Sequence, residues 1–276
     1  MDKLTNPLVN IPLNSYPLEE RSHKVSTVIS IAIRKGGVGK TTSAVNIATA
    51  LQLKGYKTLL IDLEHTANAT ISVGINPYNL KKSIADLFTS IEIRPQDTII
   101  QTSYDLSVIP ANGDLEKVEA GMTASMVGIL KPIITPLRDV FNFIIIDTPP
   151  GKSLLSTSAL IASDSVLIPL EPHYLALLGL DEILEDIAKV RKGLNPELSI
   201  FGILPTKVQI NPKVTRDILS EVERKHPDLL LPQRIKFAIK NVAASLQGDP
   251  LVIYDPTDET ALEYTQLAEA IYEKTK

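Results

Sequence analysis

The chain has 276 residues, 44% hydrophobic and 22% charged, with a formal net charge of −4. Those values suit a folded domain with a sizeable core and exclude a globally basic nucleic-acid binder, so any contact with nucleic acid needs a local basic face. There is no cysteine, which excludes disulfides, a thiolate nucleophile, zinc–cysteine sites and cysteine-held iron–sulfur clusters.

Met1 to Thr27 mixes Asn, Pro, Ser and charges without the apolar segment of a signal peptide. The expectation is a flexible arm over residues 1–24 and a single domain over 25–276. No apolar run reaches the ~20 residues of a membrane helix. Val28 to Ile33 predicts the first strand, followed by a glycine-rich turn and a helix from about Lys40 to Lys54. Ala44, Ile47, Ala48 and Leu51 recur on one face of that helix at helical spacing, and Gly55 stands where a helix stop is expected. Thr58 to Ile61 predicts a second strand ending on Asp62, and Leu106 to Ile109 another, stopping at Pro110. Phe141 to Ile146 is a near-continuous apolar run ending on Asp147, as expected of a strand buried on both faces. Val166–Leu170 and Ile200–Leu204 predict two more strands. Between them runs an amphipathic helix, Leu180 to Lys192, with Ile183, Leu184, Ile187 and Val190 inward. A last helix, Glu259 to Lys274, has Leu262, Leu267 and Ile271 as its expected apolar side. Strands alternating with helices predict an α/β fold: a mainly parallel twisted sheet flanked by helices.

The strongest chemical signal is Lys35-Gly36-Gly37-Val38-Gly39-Lys40-Thr41-Thr42, directly after a strand and opening a helix. Glycines let successive N–H groups turn toward phosphate oxygens, and the helix adds its positive end. Gly36, Gly37, Val38, Gly39, Lys40, Thr41 and Thr42 are thus the candidate phosphate cradle. Lys40 is expected on the β- and γ-phosphates and the Thr41 hydroxyl on Mg²⁺. The general phosphate-loop pattern places glycine where Arg34 stands here. Asp62, Glu64 and Asp147 follow strand ends, where α/β sheets bind ligands. Asp147 suits a Walker B role, and Asp62 and Thr41 complete the expected Mg²⁺ set. His65 is expected to be loop packing rather than a ligand.

The Lys-Gly-Gly-Val-Gly-Lys-Thr-Thr string resembles the deviant Walker A box of the ParA/MinD/Soj ATPases, and the resemblance runs from about Val25 to Ile271. It implies a P-loop NTPase in which Lys35 is the signature lysine, reaching across an ATP-sandwiched dimer to the partner's phosphates. Asp62 to Thr70 is similar to the family's Asp-x-Asp-Pro-Gln-x-Asn-Ala-Thr, with Glu64 in place of the second aspartate, which in the family helps position the attacking water. Lys35, Lys40, Asp62 and Glu64 are thus the expected catalytic set. Pro149-Pro150-Gly151 resembles a switch loop, and Pro172-His173 departs from the family's usual residues. Pro205, Thr206 and Asp255 are the implied adenine contacts, and Lys207, Lys213, Arg216, Arg234, Lys236 and Lys240 a candidate basic face for non-specific DNA.

The resemblance implies a slow, partner-stimulated ATPase with ATP and Mg²⁺ as cofactors. It would form an ATP-dependent homodimer on non-specific double-stranded DNA and answer to a ParB-like or cargo adaptor protein. The expected location is cytoplasmic and nucleoid-associated, and the cargo a plasmid, a chromosome or a protein assembly. The alternative is a MinD-like membrane-cycling ATPase. That needs a basic amphipathic C-terminal helix, whereas Asp258 to Lys276 is acid-rich with two terminal lysines, so a membrane tether is not expected.

Overall fold

The computed structural model describes residues 26–208 and 212–275; the arm expected at 1–24 lies outside them. In chain order the elements are β1 Thr27–Ile31, α1 Lys40–Leu53, β2 Thr58–Asp62, α2 Asn68–Ser72, α3 Ile84–Thr89, β3 Ile100–Gln101, β4 Ser107–Ile109, α4 Asp114–Gly121, α5 Leu130–Ile134, β5 Phe143–Asp147, α6 Leu154–Ala162, β6 Ser165–Leu170, α7 Ala176–Gly193, β7 Ser199–Pro205, α8 Pro212–Lys225, α9 Ile239–Gln247, α10 Leu251–Tyr254 and α11 Glu259–Thr275. Short 3-10 turns complete the connections.

The strands form one sheet in the order β3-β4-β2-β5-β1-β6-β7. All neighbours are parallel except β3 and β4, so the two-residue β3 is an antiparallel edge too short to carry a periodic signal. The strand period of two splits the central strands between two apolar layers. Phe143 and Ile145 of β5 join Ile29 and Ile31 of β1 in a cluster with α1, α10 and α11. Ile144 and Ile146 face the opposite way, toward α3, α5 and α6. A third cluster packs α7 and α8 on β6 and β7. Both faces are covered, which is why these strands read as continuous apolar runs.

Helix α1 is buried around most of its circumference, from Ser43 to Leu51, rather than along one stripe. α11 packs beside it. The expected apolar side of α11 needs one correction: Leu262 is 47% exposed. Five residues separate Leu262 from Leu267, about 140° of rotation, so the two cannot share a face. The buried face is Ala261, Tyr264, Leu267, Ala268 and Ile271, and the Tyr264 hydroxyl hydrogen-bonds Ser43 Oγ at 3.2 Å.

The register places Ile31 beside Asp147 and Asp147 beside Asp62. Three central strands therefore deliver their last residues to the same edge, one strand spacing apart. At that end of the molecule the turns that follow α2 and α9 meet backbone to backbone at Gly74 and Gly248. A Cβ on Gly248 would stand 2.7 Å from Gly74 Cα, and Gly248 also has φ +74°. Gly248→Ala should therefore lower unfolding free energy by about 2 kcal/mol, the sum of a left-handed penalty and a forced shift of α2. Equilibrium urea unfolding checks this, with Gly193→Ala, which meets nothing within 4 Å, as the tolerated control.

Candidate nucleotide site

Residues 35–39 wrap between β1 and α1, and the wrap uses left-handed backbone at Gly37 (φ 74°) and Gly39 (φ 90°), where a side chain is costly. No side chain caps α1. Its first amides and the positive end of its dipole therefore face the loop, an arrangement suited to phosphate. Lys40 is buried, and its ammonium donates to the Lys35 carbonyl at 3.3 Å. Burial lowers its pKa, while the carboxylates of Asp147 and Glu64 pull the other way.

Those carboxylates gather beneath the loop. Asp62 is fully buried and accepts from Glu64 N–H (3.0 Å), Thr70 N–H (2.9 Å) and the Thr70 hydroxyl (2.7 Å). Burial pushes its pKa up to about 6 against those hydrogen bonds, and the Glu64 carboxylate adds to the rise. Asp147 is also fully buried, and neither carboxylate oxygen has a hydrogen-bond partner within bonding distance among the described residues. Its pKa stands well above the carboxylate range, first from burial and then from Asp62; the nearby Thr41 hydroxyl and Lys40 ammonium oppose this. Two buried carboxylates, one with orphaned oxygens, beside a threonine hydroxyl form a hard-oxygen donor set that fits Mg²⁺. Lys40, Thr41, Asp62, Glu64 and Asp147 are therefore brought together, although they come from three separate stretches of sequence.

The supports of this site were mostly not singled out in the sequence. Thr70 orients Asp62, and its hydroxyl also accepts from Ala111 N–H at 3.0 Å; the only signal was its place in the Asp62–Thr70 run. The Thr148 hydroxyl donates to the Ile31 carbonyl at 2.8 Å and ties the switch-like loop to β1. Arg34, where glycine is usual, donates twice to Asp186 of α7 at 2.7 Å, while its carbonyl accepts from Gly151 N–H at 2.6 Å. Lys35 turns its ammonium to the Nε2 of His173.

The implied adenine contacts have the following surroundings. Thr206 is buried, and its hydroxyl is spent on the Val38 carbonyl at 2.7 Å, bracing the phosphate loop from below. Pro205 ends β7 and is buried beneath it. Asp255 accepts from Lys240 at 2.8 Å and from Thr257. The candidate basic face is likewise not one uniform surface. Lys207 donates to the Gly37 carbonyl at 2.5 Å and faces Glu171, so it belongs to the phosphate loop. Arg234 folds onto the carbonyls of Leu231 and Gln233. Lys236 pairs with Glu259, and Lys240 with Asp255 and Asp258. Lys213 and Arg216 are exposed one helical turn apart on α8. The reason is long-range: α11 and the segment before it bring their acids to the lysines, which residue spacing does not reveal.

The buried acids carry a pH signature. A carboxyl whose folded pKa is raised binds its proton more tightly folded than unfolded, so stability falls as pH rises from the unfolded value near 4 through the raised one. Asp147→Asn removes that penalty. In Mg²⁺-free, nucleotide-free buffer the variant should be more stable than the wild type at pH 8, by on the order of a few kcal/mol, and melt at a higher temperature. The difference should close as pH approaches 4. Differential scanning calorimetry across that range is the check.

Comparison with known proteins agrees with this geometry. A family model described as an AAA domain matches residues 26–200, more than half of the chain. The sporulation initiation inhibitor protein Soj of Bacillus subtilis (strain 168) is 34% identical over 247 residues, covering 88% of this chain and 97% of Soj. The chromosome partitioning protein ParA of Caulobacter vibrioides is 31% identical over 258 residues, covering 90% of this chain and 95% of ParA. The solved structure of cobyrinic acid a,c-diamide synthase from Mycobacterium smegmatis with bound ATP analogue and magnesium aligns with a TM-score of 0.78 at 29% identity, covering 90% of this chain and 95% of that one. With the phosphate loop and its acids in place, the chain belongs to the ParA/MinD family of P-loop ATPases, with ATP and Mg²⁺ as its cofactors.

Proposed function

We propose that this protein is an ATP-driven positioning or partitioning switch whose ATP-bound dimer holds non-specific duplex DNA and is reset by partner-stimulated hydrolysis. The observation that carries the reading is the division of labour between two lysines of one loop. Lys40 is buried and directed into the cradle, whereas Lys35 directs its ammonium away from the loop to His173. A lysine not committed to its own cradle could, once it leaves His173, reach a second molecule's phosphates, where it would stabilise charge in trans as an arginine finger does.

The chemistry is attack of water on the γ-phosphorus, with cleavage of the bond to the bridging oxygen and release of ADP and phosphate. Lys40 and the first amides of α1 bind and orient the phosphates. Thr41, Asp62 and Asp147 would hold Mg²⁺, which when bound would neutralise phosphate charge. Glu64 is partly exposed at the edge of this set and would position the water. Its extra methylene relative to aspartate suits slow turnover that serves timing.

A DNA-tethered mode draws support from the likeness to a chromosome partitioning protein and from Lys213 and Arg216, exposed on α8. Phosphate tracking needs only clustered cations. The location that follows is cytoplasmic and nucleoid-associated, with a ParB-like or cargo adaptor as partner. Against the membrane-cycling alternative, the apolar residues of α11 pack into the core and leave little apolar surface for lipid.

Binding of a fluorescent non-specific duplex should require ATP and weaken steeply with salt. Lys213→Glu with Arg216→Glu should weaken it by ~10-fold or more at low salt, and Lys236→Glu less, because that lysine already pairs with Glu259. Binding that ignores nucleotide would sink the switch. In a second assay, Glu64→Ala should cut phosphate release by ~10-fold or more while ATP still binds; unchanged turnover would remove Glu64 from the mechanism.

A further inference from the structure

The Lys35 contact lies outside the family's motif. His173 follows the buried Pro172 after β6 and is fixed at the start of α7 by two bonds. Its carbonyl accepts from Ala176 N–H at 2.9 Å, and its ring Nδ1 accepts from Leu175 N–H at 3.0 Å. The other ring nitrogen, Nε2, meets the Lys35 ammonium. Both ring nitrogens thus face N–H donors, yet a neutral imidazole has a single acceptor nitrogen and an imidazolium has none. A post of this kind holds a lysine weakly and releases it on protonation.

We infer that His173 is a docking post for Lys35, a positioning residue that keeps the signature lysine off the dimer face until nucleotide arrives and whose protonation ejects it. This rests on the proposed in-trans role of Lys35. The charged groups around the ring are Lys35 of the phosphate loop, Glu171 two residues earlier, and Lys207 after β7, which faces Glu171 at 3.9 Å. Burial and then the Lys35 cation lower the His173 pKa, and Glu171 opposes them. The post is therefore occupied at neutral pH and empties as pH falls below the ordinary histidine range. Occupancy acts as a tax on ATP-driven dimerisation, because the competent state is populated only when Lys35 is free.

Two measurements test this. The first follows the imidazole resonances of nucleotide-free protein by NMR through a pH titration. In Lys35→Met the His173 pKa should rise by ~0.5 unit or more as the neighbouring cation is lost. An unchanged value would overturn the contact, whether or not the chain dimerises. The second is the ATP concentration for half-maximal dimerisation, read by light scattering from about pH 4.5 to 8, which reaches below the ordinary histidine range. For the wild type it should fall toward low pH by ~3-fold or more. His173→Ala should stay at the low value throughout. His173→Gln keeps an acceptor without a titrating group, so it should stay at the high value. Wild-type pH dependence in either variant would overturn the proposal. Lys35→Ala separates the two ideas: if it dimerises on ATP like the wild type, the in-trans reading fails. If it does not, and His173→Ala still matches the wild type, only the docking post fails.

Discussion

Two carboxylates that water cannot reach set the terms for the rest of this molecule. Asp62 and Asp147 are paired across β2 and β5 at their last residues, both fully buried. Charges buried at that separation repel, and each loses its hydration. Asp62 is compensated by three hydrogen bonds through Glu64 and Thr70; Asp147 is not, and its oxygens stay without partners among the described residues. The fold thus retains a deficit of positive charge at the sheet edge. Lys40 meets part of it from above, and a divalent cation with nucleotide would meet the rest.

Sustaining that deficit requires rigid surroundings, and the packing supplies them. β5 is covered by α1 and α11 on one side and α6 on the other, so the strands cannot part to let the acids reach solvent. The phosphate loop, built on left-handed glycines, is held at several points by groups distant in sequence. Thr206 grips the Val38 carbonyl, Lys207 the Gly37 carbonyl, and Arg34 anchors its start to α7 while bonding Gly151 of the switch-like loop. That loop therefore shares a direct backbone hydrogen bond with the start of the cradle. Lys35 differs: its carbonyl accepts from Lys40, but its ammonium meets only a histidine that satisfies it poorly among the described residues. Among the described residues of the site, this loosely held cation is the one proposed to act outside the protomer.

The sequence by itself determined what depends on near neighbours. The apolar runs named every central strand because strands buried on both faces must be apolar throughout. The glycines and Lys40 announced the phosphate loop because a tight turn opening a helix is a local backbone problem. Asp62 and Asp147 were legible as strand-end acids. Tertiary structure alone decided who stands opposite whom. Leu262 reads as core and is exposed, whereas Tyr264 beside it is buried on Ser43, because the partner surface on α1 selects the face. Lys207, Arg234, Lys236 and Lys240 read as one basic face and are instead divided among the phosphate loop, local carbonyls and the acids of the C-terminal segment. Thr206 and His173 acquire their tasks from elements more than a hundred residues away. Such pairings follow from the order of strands in the sheet, and strand order is a property of the packed whole that no local window of residues contains.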